Sequence, residues 1–344
     1  MQAVIMAAGK STRTYPLTLT RPKPLLKAAN RTILEHNLDN LAGLVDEVIL
    51  IVGYKKEMIK RQFGSRYKKI KIRYIGQEQQ LGTGHAASLA EKFIKNRFIL
   101  MAGDDIYSKE DIKNCIRHKY SILTAKTDKP QNFGVIIEKN GILEDFVEKP
   151  KKFLSGTINT SLYVLDRNVF RFIKKTKKSE RNEIELPDAI KLLSKKEKVY
   201  CIKSRQWLPI GYPWDLLKAD IILRKGKNSI GKNSKIKGVV KNSSIGNNCI
   251  IKGYVKNSMV MDNSIVDKDS IVQDSIIGNN AYFQGKIISK NDVISIVKGK
   301  KINAGRFGAV IADNSRIKNV IIEAGCKIWP NKFVSGKKIS ADLI

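Results

Sequence analysis

Hydrophobic and polar positions alternate in two different rhythms along this chain. Up to about residue 225, apolar runs of strand length are separated by stretches with helical spacing, such as Val48-Ile49-Leu50-Ile51-Val52 after the pattern Ile33, Leu34, Leu38, Leu41. That alternation predicts a mainly parallel sheet wrapped by helices. Helices are expected over 32–44, 57–63, 85–94 and 187–193, and strands over 47–52, 70–75 and 97–101. A β-hairpin is expected around Asn140-Gly141, between Phe133-Gly134-Val135-Ile136 and Phe146-Val147-Glu148-Lys149-Pro150. From about Ser229 the helical spacing ends. Ile or Val then recurs in six-residue steps, as in Ile230/Ile236, Ile245/Ile251, Val260/Val266/Val272, Ile277/Phe283 and Ile311/Ile317, with Gly, Asn, Asp and Ser between them. A fixed period of six marks a solenoid: three steps make a triangular coil, the apolar residue faces inward, and Asn or Gly takes the corners. Two domains are therefore expected, 1–225 and 226–344.

Composition changes this picture little. The formal charge of +32 would point to a polyanion if it were concentrated. It is spread instead, with 20 basic against 8 acidic side chains from residue 226 onward and 44 against 24 before it. No basic patch stands out, so a generally lysine-rich background is a better reading than a nucleic-acid partner, and an anionic substrate would be drawn in faster at low salt. The apolar runs are too short to span a bilayer, so a cytoplasmic protein is expected, with no membrane partner. Cys115, Cys201, Cys249 and Cys326 are scattered and read as reduced, buried thiols.

Candidate chemistry begins at the first strand. Gln2-Ala3-Val4-Ile5 runs into Met6-Ala7-Ala8-Gly9-Lys10-Ser11-Thr12-Arg13 and then the proline-punctuated Tyr15-Pro16-Leu17-Thr18-Leu19-Thr20-Arg21-Pro22-Lys23-Pro24-Leu25. Gly9 allows close backbone approach and positive φ, the amides of residues 9–12 can face phosphate oxygens, Arg13 and Lys23 supply fixed charge, and Arg21 shares their rigid segment. Neither a Walker loop nor G-x-G-x-x-G is present.

This stretch resembles the signature A-A-G-x-G-T-R-x-x-P-L-T-x-x-x-P-K-P-L of the sugar-1-phosphate nucleotidylyltransferases. The resemblance implies a Rossmann-like nucleotidyltransferase domain, Arg13 and Lys23 as catalytic residues, and Ala7, Ala8 and Gly9 against the nucleotide. Ser11 stands where the family has its second glycine.

Later motifs follow strands, where ligands of such sheets bind. In Gly76-Gln77-Glu78-Gln79-Gln80-Leu81-Gly82-Thr83-Gly84-His85-Ala86, a side-chain amide such as Gln77 matches the O4 and N3-H edge of uracil or thymine and can also flip toward cytosine. Q-x-x-Q-L-G-T-G-H-A resembles the base-reading loop of uridylyltransferases that make UDP-N-acetylglucosamine, which implies that Gln77, Gly82 and Thr83 contact the nucleotide. His85, at a helix start, reads as structural. The Gly103-Asp104-Asp105 carboxylates suit Mg²⁺, and Ser108-x-x-Asp111 signals a helix start. By resemblance Asp104 is the metal ligand, and Gly134, Glu148, Lys149 and Asn159 bind the sugar.

Two departures bear on activity. Pro209 stands where relatives carry the second metal carboxylate or amide, and Asp215 reads as an N-terminal helix cap. The solenoid resembles the left-handed β-helix of hexapeptide-repeat acyltransferases, which implies a homotrimer. Segment 285–308 resembles the acetyltransferase loop region, yet His36, His85 and His118 all precede the solenoid, so it lacks that chemistry's base. The expected reaction joins UTP or dTTP to a sugar 1-phosphate, with N-acetylglucosamine-1-phosphate or glucose-1-phosphate favoured. A bifunctional uridylyltransferase/acetyltransferase and a non-catalytic nucleotide-sugar-binding subunit are the alternatives.

Overall fold

The computed structural model describes all residues, Met1–Ile344. The chain forms two compact units: Met1–Gly9 with Ile33–Pro209, and Lys10–Thr32 with Ile210–Ile344.

The first unit is a ten-stranded sheet. Gln2–Ala7 lies centrally, parallel to Glu47–Val52 on one side and Phe98–Ala102 on the other, and Ile70–Gly76 continues parallel beyond Glu47–Val52. Thr157–Leu165 turns the sheet antiparallel next to Phe98–Ala102, followed by Ser121–Lys126, Tyr200–Lys203 and the hairpin Ile142–Glu148/Gly134–Lys139. Central strands buried on both faces read as continuous apolar runs, as Glu47–Val52 does. Helices α1 (Ile33–Leu41), α2 (Lys56–Phe63), α3 (Thr83–Ser88), α4 (Lys109–Ile116), α5 (Val169–Lys175) and α6 (Leu186–Ser194) connect the strands. Residues from α3, α5 and α6, including Ala86, Val169 and Ile190, bury their apolar faces in the core formed with Val4, Ile49 and Leu100.

The expected strands fall within a residue of those observed. Helices α1 and α3 are shorter than the pattern implied: α1 stops at Leu41, ahead of Gly43 at φ +81, and α3 stops at Ser88, where single turns take over. The Ser108 hydroxyl caps α4 by accepting from the Asp111 amide at 3.1 Å, and Asn140-Gly141 turns the hairpin with both φ values positive.

The second unit is built on α7 (Pro213–Arg224) and the left-handed parallel β-helix. One face stacks Ser229–Ile230, Ser244–Ile245, Met259–Val260, Ile276–Ile277, Val310–Ile311 and Lys327–Ile328 in register. Ile245, Val260, Ile277, Ile311 and Ile328 fill the solenoid core. The coils differ from the expected three equal steps: the Ile230–Ile245 and Ile245–Val260 pairings set 15-residue coils, the Val260–Ile277 and Ile311–Ile328 pairings set 17-residue coils, and only some sides keep six residues. The shortened corner carries Gly238 and Gly253. A Cβ on Gly238 would lie 2.1 Å from the Gly253 carbonyl oxygen, so the tight turn depends on glycine. Another corner carries Asn233, Asn248, Asn263, Asn280, Asn314 and Asn331, all at left-handed φ, each donating its amide to the next at 3.0–3.3 Å. A hairpin, Ile294–Val297 with Lys300–Asn303, interrupts the solenoid within 285–308.

Candidate functional site

In the first unit the nucleotide candidates converge because parallel register aligns strand ends. Ala7 pairs with Val52, and Val52 with Gly76, so Ala8, Gly53 and Gln77 emerge side by side. The Ala8 carbonyl accepts from Tyr54 N at 3.0 Å and from Gln80 Nε2 at 2.9 Å. A Cβ on Gly53 would meet that carbonyl at 2.8 Å, so glycine there permits the close approach of the two chains. Gly53 and the bond from Gln80 were not legible as site elements; the only signal was a single glycine ending an apolar run.

Gln77 is buried, its backbone N–H bonded to Val52 O at 2.8 Å and its amide nitrogen 3.1 Å from His85 Nδ1. His85 therefore orients the amide. Gly82 sits at φ +99, ψ 175, and a Cβ there would be 2.6 Å from the Ile184 carbonyl oxygen. The Thr83 hydroxyl accepts the Leu186 amide at 3.0 Å, tying this loop to the start of α6.

Gly103 follows Phe98–Ala102, with its amide bonded to Met6 O at 2.8 Å, so Asp104 lies just past the carboxyl end of the strand beside Gln2–Ala7. Asp105 takes the Trp207 indole N–H at 3.1 Å, and Asn37 binds its carbonyl, as a local structural residue would. Three or more His, Cys, Asp or Glu side chains nowhere gather as a metal cage. An all-oxygen site with one carboxylate still fits Mg²⁺, which commonly completes its shell with phosphates and water.

The sugar candidates share neighbouring strand ends. Gly134 is opposite Glu148, whose Oε2 would be 2.8 Å from a Cβ on Gly134, and Val135 bridges to Ile158 beside Asn159. Lys149 Nζ lies 3.2 Å from Glu148 and Arg181 3.7 Å from it. The Asn159 amide donates to the Tyr163 hydroxyl at 2.8 Å and accepts from Ser161 N at 2.8 Å; burial pushes the Tyr163 phenol well up.

In the second unit, Arg13 is exposed, its guanidinium 5.7 Å from the Tyr212 ring, while Lys23 is only 3% exposed. The positive φ expected of Gly9 falls on Ser11, at φ 50, ψ 52. Left-handed backbone favours glycine, which is the physical reason for a glycine at this point of the signature; its carbonyl is held by the Thr14 amide and by the Thr14 and Thr18 hydroxyls. Arg21 pairs with Asp313, so its charge is already matched by a carboxylate. Asp215 caps α7, accepting from Gly211 N at 3.0 Å and Tyr212 N at 2.9 Å, and burial pushes its carboxyl above the usual range. It serves as a cap, as its position implied, and Pro209 offers no side-chain oxygen in place of the missing ligand.

A parallel sheet with an amide-bearing loop and Asp104 just past its strand ends places these groups where open α/β sheets bind nucleotides. The profile of the Nucleotidyl transferase family matches residues 2–226, and the chain belongs to that family. The Bifunctional protein GlmU of Methanococcus vannielii is 36% identical over 390 aligned residues, 97% of this chain and 93% of that protein. The UTP--glucose-1-phosphate uridylyltransferase AglF of Haloferax volcanii is 32% identical over 231 residues, 64% of this chain and 95% of that protein. Among solved structures, a candidate glucose-1-phosphate thymidylyltransferase of Bacillus anthracis, crystallised with sucrose, matches 65% of this chain and 96% of its own with TM-score 0.59 and 26% identity.

Proposed function

We propose that this enzyme transfers a nucleotidyl group from UTP or dTTP to a sugar 1-phosphate, N-acetylglucosamine-1-phosphate or glucose-1-phosphate, releasing pyrophosphate. The observation that carries the reading is Gln77, buried at the carboxyl ends of parallel strands with its amide oriented by His85. A phosphate oxygen of the sugar 1-phosphate attacks the α-phosphorus, a new P–O bond forms, and the α–β bridge breaks with its electron pair leaving on pyrophosphate. The nucleophile is already anionic, so no general base is needed, and the enzyme must supply charge and alignment. Lys23 bridges the α-phosphate and the sugar phosphate, and Arg13 holds the departing β and γ phosphates. Ala7, Ala8, Gly9, Gly82 and Thr83 shape the nucleotide site, and Gly134, Glu148, Lys149 and Asn159 the sugar site. Asp104 would hold Mg²⁺, which when bound neutralises phosphate charge.

The functional domains run over 1–225 and 226–344. Exposed Val239, Ile321 and Phe333 supply apolar surface on the solenoid for a homotrimer, and a cytoplasmic location accords with the lack of any helix long and apolar enough to cross a membrane.

A second reading retains an acetyltransferase, as the name of the M. vannielii relative implies for that protein. No histidine lies beyond His118, so the solenoid lacks the expected base. A non-catalytic binding subunit is disfavoured by the joint presence of Arg13, Lys23, Gln77 and Asp104. The deciding experiment is a panel of nucleoside triphosphates against glucose-1-phosphate and N-acetylglucosamine-1-phosphate with Mg²⁺, read by pyrophosphate release. Release with a uracil or thymine nucleotide supports the proposal; UDP-sugar binding without turnover refutes it. Free thiol from acetyl-CoA with glucosamine-1-phosphate would establish the second reading.

A further inference from the structure

The basic segment around Lys23 is held by α7 and the solenoid at points along its length. The Arg21 guanidinium pairs with Asp313, which also accepts the Thr20 hydroxyl at 2.6 Å. Lys27 Nζ lies 2.5 Å from Asp262. Ala29 N donates to Asp220 at 2.7 Å, and the Asn30 amide donates to Ser229 and to Ile245 O at 2.8 Å.

Asp262 and Asp313 are equivalent residues of one solenoid corner, each two positions past an inward-facing residue, Val260 and Ile311. Each uses its two carboxylate oxygens differently. Oδ1 stitches coils together, accepting from Asn247 N at 2.9 Å for Asp262 and from Asn279 N at 2.8 Å for Asp313. Oδ2 grips the segment. The same corner carries Asn247 and Asn279 on other coils, and Asn247 performs the stitching alone, accepting from Lys232 N at 2.8 Å. An amide can make the stitching bond, as at Asn247, while the buried Asn279 Oδ1 has no partner, so what the carboxylates at Asp262 and Asp313 add is the second oxygen that meets Lys27 and Arg21.

The stretch Arg21–Lys27, stiffened by Pro22 and Pro24, is thus pinned at both ends with Lys23 between. We propose that Asp313, and secondarily Asp262, are positioning residues for nucleotidyl transfer: the solenoid sets the backbone that carries Lys23. This rests on the functional reading above, which gives Lys23 its role. The Arg21–Asp313 pair, with side chains 10% and 9% exposed, dominates over Lys27–Asp262, at 23% and 21%.

The test uses the full chain with Asp313→Asn, Asp262→Asn, Asp313→Glu and, as a control on the same corner, Asn247→Ala. The Asn variants retain an acceptor for the stitching bond and replace the gripping carboxylate oxygen with an amide donor, so both the charge and the acceptor that meets the segment are lost. Misplacement by a fraction of an ångström should lower kcat roughly 10- to 100-fold in Asp313→Asn, less in Asp262→Asn, with partial rescue in Asp313→Glu. KM for UTP should move by less than about threefold. Asn247→Ala should lower the melting temperature and leave kcat unchanged. Amide hydrogen exchange over residues 17–31 should quicken in Asp313→Asn and not in Asn247→Ala. A kcat within about twofold of the parent for Asp313→Asn, or a loss that merely follows melting temperature across both variants, overturns the proposal. If the parent releases no pyrophosphate with any substrate pair, the functional reading fails instead. Hydrogen exchange then decides the positioning, and unchanged exchange over 17–31 in Asp313→Asn overturns it.

Discussion

Replacing Gly82 with alanine tests whether the loop between Gln77 and α3 must hold one conformation to read the nucleotide. At φ +99, ψ 175 the residue occupies a region that is essentially glycine-only, which costs an alanine roughly 1–3 kcal/mol. Its Cβ would also sit 2.6 Å from Ile184 O, 2.9 Å from Glu183 Cβ and 3.0 Å from Ile184 N. That neighbour is backbone and cannot swing aside. The loop must therefore shift away from Ile184, straining the Ile184 N–Leu81 O and Gly84 N–Ile184 O bonds, both 2.8 Å and worth about 1 kcal/mol each. Together these amount to about 3–5 kcal/mol, and if the strain is relieved by displacing the loop, kcat/KM for UTP falls by roughly two to four decades. Gly141→Ala is the control, since Gly141 has φ +73 with nothing within 4 Å of a Cβ, so only the backbone cost, about 1 kcal/mol, applies. Initial rates of pyrophosphate release against UTP, with melting curves on the same samples, separate the two. A kcat/KM for Gly82→Ala within about threefold of the parent, or an equal loss in Gly141→Ala, would refute the reasoning.

Lys23→Ala should abolish turnover, measured as pyrophosphate release, because no other group is assigned to bridge the two reacting phosphates; near-normal release would remove Lys23 from the mechanism. Asn159→Ala should raise KM for N-acetylglucosamine-1-phosphate about tenfold and that for glucose-1-phosphate much less, an equal effect on both being the contrary result. In the solenoid, the Tyr282 hydroxyl and Lys252 hold the Asp267 carboxyl down at about 2. A depressed carboxylate adds stability that is present above its ordinary value of 3.8 and lost as pH falls toward 2. Tyr282→Phe should therefore cost about 1 kcal/mol near neutral pH, with the gap from the parent closing between pH 4 and 2 in melts across that range; a gap that persists at pH 2 would assign the loss to packing.

How much was legible depended on sequence distance. Glu47–Val52 announced itself because a strand buried on both faces must be apolar throughout, and the Asn140-Gly141 turn because it needs left-handed backbone at two successive positions. The solenoid showed its period on the six-residue sides but concealed the 15-residue length of its first coils, since a glycine corner such as Gly238 shortens a side without disturbing the inward residues that mark it. Asp215 could be read as a cap from three-residue spacing, whereas Gly53 could not be assigned to Ala8, which is brought beside it only by strand register. Arg21 stood out in the sequence only as a third base on one proline-stiffened segment. Its carboxylate partner lies far away in the chain, in a coil whose own pattern is explained by stacking alone.

Arg21 and Asp313 are separated by 292 positions. At a synthesis rate of about 5–20 residues per second, the amino-terminal segment waits roughly 15–60 seconds on the ribosome before the residue that anchors it has been made. The part of the chain that leaves the ribosome first is therefore among the last to find its place. A chain cut short between residues 262 and 313 would hold the signature at its Lys27 and Asn30 end and leave Arg21 without its partner, so synthesis past residue 313 becomes the checkpoint for a fully pinned segment.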